Sequence, residues 1–273
     1  MPELPEVEIV CRNLSSIIGD NNKVESWTFY RHDLRGKIPK KELNQIAGQK
    51  IIGVQRRAKY ILIELEQNFI LSHLGMTGSW RQVENSKHWK PEKHDHVKLN
   101  LSDGTSLVYK DIRRFGFIEC FLKSEIGQRF AKLGAEPIDN IKALTALESK
   151  LKKLSTSVKV ALMNQELVVG IGNIYASEIL FLSKVSPLRS CSKVSHHEFQ
   201  TIWKNSNKVL KKAIKKGGST IENYKNSYGV AGSFQNDFFV YGRDQEECRI
   251  CATPILQRSL AGRSTYWCST CQK

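Results

Sequence analysis

The chain has 273 residues, enough for two medium domains or one large one, and its 40% hydrophobic and 25% charged residues are an ordinary globular balance. Lys and Arg (42) outnumber Asp and Glu (27), giving a net charge of +15 and a pI of about 9.5, which points to a polyanionic partner, nucleic acid first. The absence of an 18-residue apolar run and of a basic-then-apolar leader excludes a membrane-spanning helix and a secretory signal, so the expected setting is the cytosol.

The chain opens Met1-Pro2-Glu3-Leu4-Pro5-Glu6-Val7-Glu8. Pro2 is small, so Met1 is expected to be removed, leaving a secondary amine at the terminus. Such an α-amino group has a pKa of about 7.7–8.0, so part of it is neutral at physiological pH. A neutral amine can attack an electrophilic carbon and form a Schiff base, here a cationic iminium. Glu3 and Glu6 stand beside it as candidate proton carriers. The same residues also suit a helix start: Pro5 fits a first turn, and Val7, Val10, Leu14 and Ile17 form one apolar stripe that Gly19 can close in a left-handed cap.

From residue 23 to 123 the texture is that of short strands. Ile51–Val54, Tyr60–Leu65, Phe69–Leu74, Val97–Leu101, Ser106–Tyr109 and Phe117–Phe121 read as strands, with Ser102-Asp103-Gly104-Thr105 as a hairpin turn. This spacing predicts an antiparallel sandwich or barrel. The polar segment Ser86–Lys93, with Pro91, reads as a loop. After Gly134-Ala135-Glu136-Pro137 the pattern turns helical: Leu144, Leu147, Leu151 and Leu154 share a face, Ile174–Leu182 is a second helix and Phe199–Lys216 a third. Lys211, Lys212, Lys215 and Lys216 on the last suit either a phosphate-facing or a merely solvated surface. Lys216 to about Gln235 is rich in Gly, Ser, Asn and Tyr and reads as a long surface loop, of a length that is usually functional or mobile.

Four of the seven cysteines form Cys248-x2-Cys251-x16-Cys268-x2-Cys271. Two such knuckles make a tetrahedral S4 site, which favours one structural Zn2+ over redox cysteines and suggests a clamped hairpin between them. A closed site of this kind stabilises a segment too short to have its own core. Near the hairpin's middle, Leu260-Ala261-Gly262-Arg263 would place Arg263 at a rigid tip, where a guanidinium can grip phosphate. Cys11, Cys120 and Cys191 carry no pattern of their own.

Taken in order, the N-terminal Pro2–Glu8, Arg56-Arg57-Ala58-Lys59-Tyr60, His73-Leu74-Gly75-Met76, Lys93-His94-Asp95-His96, Asp111-Ile112-Arg113-Arg114-Phe115-Gly116, Gly170-Ile171-Gly172-Asn173-Ile174-Tyr175 and the cysteine ribbon resemble the bacterial formamidopyrimidine-DNA glycosylases along essentially the whole chain. The resemblance implies an α+β multidomain fold. Residues 1–133 would form an N-terminal catalytic β-sandwich with its N-terminal helix, 134–238 a helix–two-turn–helix DNA-binding domain with a lesion loop, and 239–273 the zinc finger. It implies a monomer acting on damaged double-stranded DNA in the bacterial cytosol or nucleoid, with no membrane partner. The activity implied is base-excision repair: removal of oxidised purines, 8-oxoguanine and formamidopyrimidines, then β,δ-elimination at the sugar.

Residue by residue, the resemblance makes Pro2 the nucleophile, Glu3 the proton carrier, Lys59 a phosphate contact that assists elimination, and Arg263 the zinc-finger arginine at the flipped nucleotide. His73, His94, Arg113, Lys153, Lys159 and Asn173 become DNA contacts. Met76, Arg113 and Phe115 become the wedge that fills the vacated stack; without the resemblance Met76 and Phe115 read as core. Ser219, Asn223 and Tyr224 fall in the loop covering the damaged base. Leu154 stands where some members carry a basic residue, and Thr77 occupies a variable position after the wedge methionine. The competing readings are an endonuclease VIII-type glycosylase for oxidised pyrimidines, a non-catalytic damaged-DNA binder, and an RNA-binding zinc-ribbon protein. Leu4 and the Arg113/Phe115 pair favour the purine-specific branch over the first, and intact Pro2, Glu3 and Lys59 argue against the second.

Overall fold

A computed structural model describes residues 2–83, 89–140, 142–220 and 227–273. The chain packs as two compact units: Met1–Ala131 with Lys216–Ser233, and Lys132–Lys215 with Phe234–Lys273. The described residues of the long loop, 216–220 and 227–233, fall in the first unit, and the cysteine ribbon falls in the second.

The N-terminal unit begins with α1 (Leu4–Ile18), whose buried face is Leu4, Val7, Val10, Cys11, Leu14 and Ile18. Gly19 caps it at φ 62°, ψ −168°, which is not the left-handed helical pair expected but is still a conformation that glycine tolerates best. Then follow β1 (Val24–Phe29), the short α2 (Lys40–Gln45), β2 (Ile51–Arg57), β3 (Tyr60–Leu65), β4 (Asn68–His73), β5 (Gly78–Val83), β6 (Asp95–Leu101), β7 (Ser106–Asp111), β8 (Phe117–Leu122) and α3 (Ile126–Phe130). Two four-stranded antiparallel sheets result, ordered β1-β6-β7-β5 and β2-β3-β4-β8. Alternation does the work: in β6, Val97, Leu99 and Leu101 are all 0% exposed while Lys98 and Asn100 are half-buried between them. The core lies between the sheets, joining Ile61, Ile63 and Ile70 of one to Leu99, Leu107 and Tyr109 of the other, with the α1 stripe packed on it. On the second sheet's other face Leu62, Phe69, Leu71 and Phe121 form a smaller cluster, against which Ile126 and Phe130 of α3 pack. The expected Ser102–Thr105 turn is present: Gly104 sits at φ +86°, and Leu101 N–H donates to Thr105 O at 2.8 Å.

The second unit contains α4 (Ala143–Leu151), α5 (Val158–Met163), α6 (Asn173–Leu182), α7 (His196–Lys215) and the hairpin β9 (Leu256–Leu260)–β10 (Arg263–Trp267). Helix α4 stops at Leu151, so Leu154 lies beyond it. Glu178 of α6 is 2% exposed, and its carboxylate accepts the N–H groups of Phe239 (2.8 Å), Val240 (3.0 Å) and Tyr241 (2.8 Å), which ties the segment leading into the ribbon to α6. Burial pushes this carboxyl above its ordinary value, and the three N–H donors act in the opposite sense. At the other end, Gln272 accepts from Cys268 N–H (3.0 Å) and donates to Val185 O (2.9 Å).

Candidate DNA-processing site

In the N-terminal unit, Pro2 and Glu3 are buried at the start of α1. Glu3 is the N-cap of a reciprocal capping box: its carboxylate accepts the Glu6 N–H, and Glu6 Oε2 accepts the Glu3 N–H at 2.9 Å. A capping box fixes the backbone directly after Pro2, so Pro2 sits at a rigid helix start. The other oxygen of Glu6, Oε1, accepts the Ser219 N–H (2.7 Å) and the Ser219 hydroxyl (3.0 Å). Gly218 makes this approach possible: it lies at φ +81°, and a Cβ there would stand 2.9 Å from Glu6 Oε1. Of the residues expected in the loop over the base, Ser219 is thus buried against Glu6, while Asn223 and Tyr224 lie outside the described residues.

Lys59 follows Ala58 in the turn between β2 and β3. Ala58 holds φ 55°, in the left-handed region that costs a non-glycine residue, and is 1% exposed. That turn carries Lys59, 7% exposed, close to His73. His73 ends β4 opposite Tyr60, and its ring stacks on Phe117 (5.4 Å, 10° between planes). Burial first, then the Lys59 and Arg35 cations, lower its pKa from 6.5 to about 4. Gly75 N–H donates to His73 Nδ1 at 3.0 Å, so the neutral ring carries its hydrogen on Nε2 and offers that nitrogen as a donor. His73 is therefore expected to stay neutral from pH 5 to 8 in the free protein. Its native pKa lies below the unfolded value, so the stability it contributes is present above pH 6.5 and is lost as pH falls from 6.5 towards 4. A histidine NMR titration would check this, and a His73 midpoint near 6.5 would contradict it.

Met76 is half-buried, whereas Arg113 is exposed and Phe115 is 46% exposed, so Phe115 is not the core residue that its type alone suggests. The Arg113 guanidinium lies over the Phe115 ring, 4.7 Å from its centre. His94 is half-buried, and its carbonyl accepts Asp111 N–H at 3.1 Å.

In the helical unit, Asn173 opens α6 directly after Gly170-Ile171-Gly172, with Gly170 at φ +83°. Lys159 of α5 is 1% exposed, and its ammonium donates to Asn173 Oδ1 (2.6 Å), Ser264 O (2.9 Å) and Thr265 Oγ1 (2.8 Å). These three acceptors lie on α6 and the hairpin, so Lys159, expected at the DNA, also ties α5 to both. Asn173 Nδ2 also donates to Ser264 O (2.9 Å), next to Arg263. Arg263 begins β10, exposed, directly after a two-residue turn in which Ala261 (φ 49°) and Gly262 (φ 71°) both take the left-handed conformation that tight hairpins require. Lys153 is exposed beyond α4.

The four ribbon cysteines converge so that their sulfurs all lie within 4.8 Å of one another, with Cys251 and Cys268 at 3.4 Å. Four thiols at this spacing, with no histidine or carboxylate among them, fit the tetrahedral S4 set of a structural zinc, which clamps the hairpin against the apolar cluster of Phe181, Val240 and Ile255.

Sequence patterns of known families match along this frame. The formamidopyrimidine-DNA glycosylase N-terminal domain matches residues 1–118, that enzyme's H2TH domain residues 133–225, and the zinc finger found in FPG and IleRS residues 245–273. The formamidopyrimidine-DNA glycosylase of Bdellovibrio bacteriovorus is 41% identical over 273 residues, all of both chains. The chain belongs to the formamidopyrimidine-DNA glycosylase family. Among solved members, a Lactococcus lactis FPG mutant in complex with a Fapy-dG containing DNA is 33% identical and superposes over the full length of both chains with a TM-score of 0.91. MutM in complex with carbocyclic 8-oxo-G containing DNA superposes with a TM-score of 0.90 at 34% identity, again over both full chains. The family's sandwich, helical and zinc-finger parts are those described above, and the zinc site is the family's. Glu6, Asp111 and Glu178 organise these parts, yet sequence reasoning assigned only Glu6 a role, as a proton carrier. The capping role of Glu3 and Glu6 emerges only in the structure, and so do the roles of the Asp111 and Glu178 carboxylates, whose partners are distant or main-chain.

Proposed function

We propose that the protein is a base-excision repair DNA glycosylase and abasic-site lyase that removes oxidised purines from duplex DNA. The observation that carries this reading is the capped N-terminus, which holds Pro2 at a rigid helix start in a chain that matches the family end to end. With Met1 removed, the Pro2 nitrogen attacks C1′ of an everted nucleotide and the damaged base leaves with the C1′–N bond electrons. The nitrogen loses its proton, and its lone pair then expels O4′ from C1′ as O4′ takes a proton, so the sugar ring opens and a cationic iminium forms. That cation acidifies C2′; loss of the C2′ proton expels the 3′ phosphate, and a further elimination expels the 5′ phosphate. Glu3 carries protons at the opened sugar. Lys59, the His73 Nε2–H, His94, Lys153, Asn173 and Arg263 serve phosphates, Met76, Arg113 and Phe115 replace the everted base, and Ser219 with Asn223 and Tyr224 borders it. Zinc, when bound, holds the hairpin that carries Arg263. The working domain division is 1–133, 134–238 and 239–273, and the protein acts as a monomer in the cytosol. No described helix is long and apolar enough to cross a membrane.

Borohydride trapping on a duplex with one 8-oxoguanine opposite cytosine, followed by peptide mapping, tests the reading: the adduct is expected on Pro2. An adduct on a lysine, or none from a Met1-free protein that binds the duplex, would overturn it. Binding should also fall steeply with salt, because phosphate contacts release condensed counterions, by roughly 0.9 in log K per log salt for each phosphate neutralised. A flat response between 50 and 200 mM would contradict the phosphate contacts.

A further inference from the structure

The wedge residues sit on two loops, one before β5 with Met76 and one after β7 with Arg113 and Phe115. The loop backbones touch: Gly75 lies at φ +59°, and a Cβ on it would stand 2.4 Å from Gly116 N and from Phe115 C. Asp111, 0% exposed at the end of β7, joins them. Its Oδ2 accepts Gly116 N–H at 2.9 Å, and its Oδ1 accepts the Thr77 hydroxyl at 2.5 Å. Thr77 Oγ1 in turn accepts Arg113 N–H at 2.9 Å. Hydrogen bonds thus close a ring from Asp111 through Thr77 and Arg113 along the turn to Gly116 and back. Within that turn Arg114 is held at φ 59°, and Gly116 is pressed so closely that a Cβ would meet Tyr109 Oη at 1.8 Å.

We infer that Thr77 and the buried Asp111 form a clamp that presets the wedge, so that Thr77 is a positioning residue for base eversion. The inference rests on the wedge reading proposed above. A side chain that enters a base stack must be ordered when it does so, and ordering a loose loop at that moment weakens insertion. Here the order is set on folding, and Phe115 stays exposed beneath Arg113 instead of collapsing onto the sheet. The hydroxyl of Thr77 is essential to the ring because it donates to one loop partner and accepts from the other. Serine keeps both bonds; valine keeps the shape and loses both.

The test compares Thr77→Val, Thr77→Ser and Phe115→Ala, each confirmed to be folded and zinc-loaded. Single-turnover excision of 8-oxoguanine opposite cytosine is measured against cleavage of a preformed abasic site, which has no base to displace. Thr77→Val is expected to slow excision about tenfold or more, equivalent to roughly 1.4 kcal/mol, while abasic-site cleavage changes by less than about threefold and Thr77→Ser stays within about twofold of the parent. If Phe115→Ala is slow but Thr77→Val excises like the parent, the clamp is overturned and the wedge stands. If Phe115→Ala excises like the parent, the wedge reading falls and the clamp with it. Equal losses in Val and Ser, or equal losses on both substrates, would show that the hydroxyl does not act through eversion.

Discussion

Pro2→Gly is expected to lower removal of 8-oxoguanine by at least ~10²-fold, the range seen when a positioned catalytic group is lost, while duplex binding changes little. Glycine still leaves a terminal amine once Met1 is gone, so the loss has specific sources. The amine becomes primary, and the intermediate becomes an imine that must bind a proton before it can draw electrons, whereas the proline iminium is cationic from the start. The ring that is buried before α1 is also lost, and a flexible residue replaces it at the capping box, so the nucleophile no longer approaches from one direction. Single-turnover kinetics with trapping would check this. Turnover equal to the parent's in a Met1-free variant would remove Pro2 from the mechanism.

The second large effect concerns the ribbon. Cys268→Ser is expected to release zinc and weaken duplex affinity by about tenfold or more, because structural zinc supplies on the order of 10 kcal/mol to modules of this kind. Cys268 is 0% exposed and packs with Phe181, Val240 and Ile255, so loss of the metal also exposes an apolar cluster. Arg263 and the Ser264 carbonyl that binds Lys159 and Asn173 then lose their fixed place. Metal content and fluorescence anisotropy on one preparation would decide it; parent-like affinity without zinc would separate the hairpin from DNA binding.

Much of this is legible in the sequence, and for physical reasons. The α1 stripe shows because a buried helix face repeats every three or four residues. Six strand runs show because their apolar segments are continuous or alternating. The cysteine spacing shows because a metal demands it. What was missed is equally explicable. In β5, Gly78-Ser79-Trp80-Arg81 has a single large apolar residue, fully buried, between polar neighbours. Helix α5 spans six residues, too few for a period to emerge. Lys159 reads as a lysine near the DNA, and its acceptors on α6 and the hairpin show only in the structure. Thr77 reads as a variable loop residue until Asp111 closes on it. These side chains act through partners far away in sequence, and no local pattern reports a partner.

The Glu6–Ser219 bond has a consequence for synthesis. Its two residues are 213 positions apart, and the segment carrying Ser219 belongs to the unit that the first residues build. On the ribosome, at about 5–20 residues per second, Glu6 waits on the order of 10–40 s for its partner to be made. Through that interval the nascent β-sandwich lacks the strand of chain that covers Glu6, and the helical unit begins to emerge before the sandwich is complete. A fragment ending at residue 131 would lack that segment permanently, so the two units cannot be separated by a single cut in the gene.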